Sequence, residues 1–322
     1  MYKKYLLPLT ILIIIFTVII CPGCLSPDQE RQEFIISAGS SEHWTYAVMS
    51  AMIIVWENEL DGVSFTLLEG TGGGNLLGIH DEKYHFATSN SETVFAALNG
   101  QYPFEQKVDG FRSLGYLSPS VFHYFAGKDT GIQSFADLRG KTIAVGARGS
   151  GADLTVHLIL DAYDIDPGEV NITYISLADA AGAYSDGLVD VICGSAYPGS
   201  ALFQRLAIAR DSIALSLTAS DLDQLRKFNP YFELITIPGR TYHNIEKDTQ
   251  SIKLGTILIC KKDLDEALVY QMLSLLFEHT ERLAEVHKAV EDLSPKTALF
   301  LTRGEQLHPG AEKYYREVRA LD

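Results

Sequence analysis

The sequence predicts an α/β fold in which helices cover parallel strands. Three observations carry that expectation. From residue 34 onward, short apolar strand-like runs alternate with helical stretches. That alternation argues for parallel sheets with helices on their faces. The turns from strand to helix are repeatedly built of Gly, Ser, Thr and Asn. Hydrophobic residues make up 47% of the 322, enough to bury a sizeable core and to exclude global disorder.

The elements follow in order. Residues 33–37 are a short apolar strand, and 38–42 a turn. Trp44, Ala47, Val48, Ala51, Met52, Ile54 and Val55 then recur at helical spacing. A second strand at 63–68 leads through 69–75 into another helix. Residues 84–87 lead through 88–92 into a helix at 93–98. Strands are expected at 111–117 and 121–125, and a short helix at 135–140 closed by Gly140. A strand at 141–145, a turn at 146–151 and a helix at 152–163 come next. Strand 172–175, helix 177–187 and strand 189–193 precede the turn 194–200 and a helix from Ala201. Residues 254–260 form a long apolar strand. Asp263 is placed to cap a helix over 264–287. Pro309 is placed to begin a last helix over 311–321.

Net charge is −15, from 26 basic and 41 acidic residues. This gives no electrostatic footprint for nucleic acid, so DNA and RNA are excluded as partners. The amino terminus carries its only charges at Lys3 and Lys4, and none from 5 to 23. That pattern reads as a secretory signal. Gly23 before Cys24 resembles a bacterial lipoprotein cleavage box, with Cys21 where such boxes usually carry Leu. Cleavage would leave Cys24 as a lipidated first residue; retention would leave a membrane anchor. Both readings place the rest of the chain outside the cytoplasmic membrane, periplasmic or held to its outer face. After residue 24 only Cys193 and Cys260 remain, either bridged or as two buried thiols.

Five turns are rich in small polar residues: 39–41, 70–75, 89–91, 146–151 and 194–200. A helix start offers unpaired backbone N–H groups and a partial positive charge. Glycine lets a ligand approach that backbone. In open α/β sheets, ligands bind beyond the carboxyl ends of the strands. Several such turns facing one cleft would hold a small carboxylate without a basic surface. For any one turn alone, capping by Ser41, Asn75, Ser91 or Ser150 is the simpler reading. Other chemistries lack their motifs. Residues 73–78 lack the Lys-Ser/Thr of a phosphate loop, and 146–151 do not match Gly-x-Gly-x-x-Gly. No nucleophile elbow surrounds Ser150. The nine histidines show no ligand spacing, so neither a metal nor a cofactor is expected.

Longer stretches add a resemblance. Gly39-Ser-Ser41, Glu69-Gly-Thr-Gly-Gly-Gly-Asn-Leu-Leu77, Phe86-Ala-Thr-Ser-Asn90 and Ala96-Ala-Leu-Asn-Gly100 occur in order. So do residues 131–146 with Gly149-Ser-Gly151, residues 178–190, and Leu307-His-Pro-Gly-Ala-Glu-Lys-Tyr-Tyr-Arg316. From about Phe34 to Val318 the chain resembles the TAXI-type solute receptors of TRAP (tripartite ATP-independent periplasmic) transporters.

The resemblance implies a two-lobed type II periplasmic-binding-protein fold with an interlobe ligand cleft. It implies lobe 1 over 34–118 and 255–322 and lobe 2 over 119–254, after the signal over 1–24 and a linker over 25–33 read from the amino terminus. It further implies a glutamate-like amino acid or other organic acid as ligand, a TRAP membrane permease as partner, and no enzymatic activity. Carried over by position, the contacts are Ser40, Ser41 and Tyr46; Thr71, Gly73, Gly74 and Asn75; and Ser89 and Asn90. From the other lobe come Gly149, Ser150, Gly151, Gly194 and Tyr197, with Arg148 placed to pair with a second carboxylate. The first loop departs from the family's Thr-Gly-Gly-Thr, reading Glu42-His-Trp-Thr45, so His43 and Trp44 would reshape the cleft. The same architecture would also serve a ligand-sensing receptor for a signalling partner. An enzyme on this fold would need a matched nucleophile and base, which the chain does not offer.

Overall fold

The computed structural model describes residues 31–299 and 306–321. The expected signal, Cys24 and most of the linker lie outside the described residues. Among the described residues, no helix is long and apolar enough to cross a membrane.

The first part of the chain winds β1 (Gln32–Ala38), α1 (Trp44–Glu59), β2 (Val63–Glu69), α2 (Gly72–His80), β3 (Phe86–Asn90) and α3 (Ser91–Asn99). The long strand β4 (Phe111–Gly127) follows. Then come β5 (Thr142–Ala144), α4 (Gly151–Ala162), β6 (Asn171–Thr173), α5 (Leu177–Ser185), β7 (Val191–Ala196) and α6 (Ala201–Ala209). The middle closes with β8 (Ser212–Ala214), α7 (Ala219–Phe228) and β9 (Glu233–Ile237). A second long strand, β10 (Thr249–Lys261), leads to α8 (Glu266–Glu278), α9 (Thr280–Val286), α10 (Pro295–Ala298) and α11 (Pro309–Glu317).

One sheet runs through the molecule in the order β2-β1-β3-β10-β4-β7-β5-β6. The pairs β1–β2, β1–β3, β5–β6 and β5–β7 are parallel, as expected from the alternation. The expectation of wholly parallel sheets is corrected in the middle: β10 runs antiparallel to β3 and β4, and β4 antiparallel to β7. These two strands carry the chain out and back, so their directions must oppose. Residues 111–117 and 121–125 are therefore one strand, not two. Pro119 and Ser120 face Gly255 and Leu254. At that point each strand pairs only with the other, among the described residues. Pro119 can sit there because no second neighbour needs its missing N–H.

Side chains alternate across this sheet and both faces are covered. Ile257 and Ile259 of β10 join Leu76, Val94, Phe104 and Phe111 under α2 and α3. Leu258 and Cys260 join Met52, Trp56, Met272 and Tyr315 under α1, α8 and α11. In the second half, Phe122 and Tyr124 pack with Ile143, Val156 and Ile159. On its reverse, Val121 and Phe125 pack with Ile192, Phe203 and Leu206. Cys193 and Cys260 are free thiols, both buried, and burial raises both.

Two helix expectations shift. The helix over 264–287 is capped by Asp265, not Asp263, because Asp265 Oδ1 accepts from Leu268 N at 2.8 Å. It breaks at His279 into α8 and α9. The carboxyl-terminal helix is docked by Tyr315, whose hydroxyl donates to Leu114 O at 2.7 Å. Gly115 beside it has φ +124°, and a Cβ there would lie 2.2 Å from that hydroxyl. Only glycine allows both the backbone conformation and the contact.

Candidate ligand-binding cleft

The carboxyl ends of the strands in the two halves open onto one cleft of about 590 Å³. That volume suits a small organic molecule, for which pockets of roughly 300–1,000 Å³ are usual. The N-cap residues of five helices line it: His43 of α1, Thr71 of α2, Asn90 of α3, Ser150 of α4 and Ser176 of α5. Five positive helix ends therefore meet in one hollow.

The caps hold these helix starts in place. Thr71 Oγ1 accepts from Gly74 N at 3.2 Å. Ser150 Oγ accepts from Asp153 N at 3.3 Å and donates to Val145 O at 3.1 Å. Ser176 Oγ accepts from Asp179 N at 3.1 Å. Asn90 makes no side-chain cap bond. His43 Nδ1 lies 2.9 Å from Thr45 Oγ1, which accepts from Gly39 N. Burial lowers the His43 imidazole to about 4, with the His287 imidazole adding to the effect, so it is neutral at physiological pH.

Among the described residues, the lining holds, besides His43, one basic side chain, Arg205 of α6, and one acidic side chain, Glu42. Arg205 is exposed. The cleft thus combines helix-end amides, one guanidinium, one carboxylate and an apolar surface from Val145, Leu177 and Leu202.

Of the residues singled out from sequence, Ser40, Thr71, Asn75, Ser89, Asn90, Ser150, Gly151 and Gly194 line this cleft. Asn75 is nevertheless committed to the fold. Its Oδ1 accepts from Ser37 Oγ at 2.7 Å, and its Nδ2 donates to Thr88 O at 2.7 Å and to Ser37 O and Ala38 O. It ties the ends of β1 and β3 to the start of α2. Ser89 Oγ likewise donates to Gly72 O at 3.1 Å.

The remaining seven do not line the cleft. Ser41 is exposed beside it. Tyr46 packs on the α1 core. Gly74 is taken up by the Thr71 cap. Arg148 lies over the Tyr174 ring, 4.0 Å from its centroid. Gly73 and Gly149 meet each other instead: Gly73 N donates to Gly149 O at 3.3 Å. Tyr197 makes an edge contact with His287 at 5.6 Å. Trp44 also turns from the cleft and stacks on His287 at 5.9 Å, whereas His43 does enter the lining.

Gly73–Gly149 and Tyr197–His287 span the cleft at separate points. A third bridge is Tyr102, whose hydroxyl donates to Asp153 Oδ2 at 2.9 Å. Asp153 Oδ2 also accepts from Gly149 N at 2.9 Å, and Oδ1 lies 3.2 Å from His157 Nδ1. The hydrogen bonds from His157, Gly149 and Tyr102 hold Asp153 below the usual carboxylate range although burial opposes them.

Sequence reasoning missed the Ser176 turn and Arg205. Ser176-Leu-Ala-Asp179 has the spacing of a cap and could have been found. Arg205 sits within an amphipathic helix and carries no local signal.

The profile of the NMT1-like family matches residues 36–318. The chain belongs to the NMT1-like family. Its fold is also that of a protein from Bordetella bronchiseptica RB50, at 14% identity and a TM-score of 0.51 over 91% of this chain and 90% of that one. A Xanthomonas citri protein solved with ATP gives 12% and 0.51 over 89% and 96%. The alkanesulfonate-binding protein of Xanthomonas axonopodis pv. citri, solved with MOPS, gives 13% and 0.47 over 89% and 84%. The two-lobed α/β architecture with a cleft between its halves, expected from the sequence, is the architecture observed, and the Bordetella bronchiseptica protein shares that fold.

Proposed function

We propose that this NMT1-like protein is an extracytoplasmic receptor that captures a small carboxylate and delivers it to a TRAP-type membrane permease. The observation that carries the proposal is the convergence of five helix N-termini and Arg205 on one cleft. Each helix end contributes about 0.3–1 kcal/mol to a bound anion, up to ~2 when partly buried. Micromolar capture requires ~8 kcal/mol. Several ends acting with direct hydrogen bonds and the Arg205 guanidinium reach that range. Glu42 gives an acceptor for the amino group of a glutamate-like ligand.

In this reading the lobes are 34–118 with 255–322, and 119–254, and they rotate about the paired segments at Pro119 and Gly255. Contacts from both lobes to one ligand favour the closed form, because closure needs stronger binding to the closed than to the open state. An anchor at Cys24 keeps the receptor beside its permease.

The test is thermal denaturation of the purified protein against amino acids, dicarboxylates, alkanesulfonates and phosphonates. A ligand at 100 times its Kd stabilises by about 2.7 kcal/mol, a shift of a few degrees. One or a few small carboxylates are expected to give that shift, and Arg205→Gln to weaken it about tenfold or more. The bound acid should be recovered unchanged. A response confined to sulfonates or phosphonates would remove the carboxylate assignment. No response from well-folded protein would remove the receptor.

A further inference from the structure

Glu92, the second residue of α3, is completely buried. Neither carboxyl oxygen has a hydrogen-bond partner among the described residues. The group lies at the seam between the two halves of the molecule. A Cβ placed on Gly151, the first residue of α4, would stand 2.2 Å from Glu92 Oε1 and 2.8 Å from Asn90 Nδ2. The bare Gly151 backbone is what lets α4 close over the carboxyl. The same seam is shut by Gly73–Gly149, by Tyr102–Asp153 and by Leu154 of α4 packed with Val94 and Phe104.

We propose that closing the lobes takes up a proton at Glu92, so that capture is favoured and release resisted as the surroundings become more acidic. The proposal rests on the hinged-receptor reading above. Its physical basis is desolvation. A carboxylate stripped of water, with no well-formed hydrogen bond to either oxygen, is pushed toward its neutral form.

The surrounding groups do not rescue the charge. Burial is the largest influence and raises the carboxyl; its own backbone amide, Ser91, Thr93 and Asn90 act in the opposite direction and are outweighed. From α4 come Asp153 and His157, which engage each other and Tyr102. From β4 comes Tyr124, whose buried hydroxyl also has no partner among the described residues. On α7, whose Phe228 packs on Phe95, Arg226 binds Phe232 O and Lys227 binds Gln224. The titratable residue of α2 is His80, at its far end, and β10 presents Thr256 where it pairs with Asn90. Burial raises the Glu92 carboxyl from 4.5 to about 7 in this closed arrangement.

The sign follows. Open, the solvated carboxyl is ionised above its ordinary range; closed, it is protonated up to about neutrality. Closure then takes up about 0.9 proton at pH 6 and about 0.1 at pH 8. The closed-to-open ratio is about tenfold higher at pH 6 than at pH 8.

Two measurements on the purified protein without added ligand test this. Small-angle X-ray scattering at pH 6 and pH 8 should show the wild type more compact at pH 6. Glu92→Gln, which is neutral at both, should be equally compact at both. Infrared difference spectra of the wild type should show a neutral carboxylic acid band at pH 6 that fades toward pH 8, which reads the group directly even if the variant folds poorly. A Glu92→Gln protein that keeps the wild-type pH response, or a wild type without the acid band at pH 6, would overturn the proposal. If the wild type compacts with a carboxylate ligand but not with acid, only the proton coupling falls. If it compacts with neither, the hinged receptor falls with it.

Discussion

Replacing Gly73 by Ala should wedge the cleft open. Gly73 is the second residue of α2 and donates to Gly149 O across the cleft at 3.3 Å. A Cβ at position 73 would stand 2.7 Å from that same oxygen. Ordinary carbon–oxygen contacts need about 3.3–3.6 Å, so the lobes must separate by roughly 0.6–0.9 Å at this point. The closed form then loses one backbone hydrogen bond, about 0.5–1.5 kcal/mol. Residual crowding adds about 1–3 kcal/mol. The sum of about 1.5–4.5 kcal/mol weakens ligand binding by roughly ten- to a thousandfold. The open form does not feel the contact. Alanine is instead the better helix former there by about 0.5–1 kcal/mol, so the unliganded melting temperature should not fall. Isothermal titration with the acid recovered from the purified protein measures the first effect, and calorimetric melting the second. Gly182→Ala is the control: it lies within α5 with nothing within 4 Å of the added carbon, and should leave affinity unchanged. If Gly73→Ala binds within about threefold of the wild type, the bridge is not part of the bound state.

Tyr102→Phe removes the hydroxyl that reaches Asp153 Oδ2. Because the acceptor is ionised, the loss is about 1.5–3 kcal/mol in the closed form, and titration should show affinity falling roughly ten- to a hundredfold. Asn75→Ala strips four hydrogen bonds from the junction of β1, β3 and α2 and leaves Ser37 and Thr88 groups unpaired. It should cost about 2–4 kcal/mol of stability in denaturant unfolding, a loss that a mere ligand contact would not produce. Cys193 and Cys260 are buried and their thiols raised by that burial, so a thiol reagent should label neither until the protein unfolds.

The legible parts of the sequence were those with strong local signals. Apolar runs bounded by Gly and Ser located β1, β2, β3 and β7, and the cap Ser150 located α4, whereas α2 is capped by Thr71 and not by Asn75. Their convergence was legible too, because parallel strands put all such turns at one end of a sheet. Residues 212–237 were not read. β8 is three residues long and β9 is half-exposed, so their patterns are weak; α7 does carry an amphipathic pattern and a Thr218–Asp221 capping box, and was overlooked. The two antiparallel strands were missed as such because direction is a property of the return path, not of composition. Ser118-Pro-Ser120 was read as separating two strands and is the middle of one. Within the cleft, sequence identified turns but not which polar atoms were already spent. Asn75 and Ser89 look like ligand contacts until their partners Ser37, Thr88 and Gly72 are seen. Arg148 was singled out and Arg205 was not; in the fold Arg148 lies over the Tyr174 ring and Arg205 lines the cleft.

The most direct test of pooled helix ends is a crystal structure of the protein with its recovered acid. The account predicts ligand oxygens about 2.7–3.2 Å from first-turn amides of at least one helix among α1, α2 and α3 and at least one of α4 and α5, with Arg205 turned toward the same ligand. An acid held by side chains of one lobe alone, with those amides facing solvent, would contradict it.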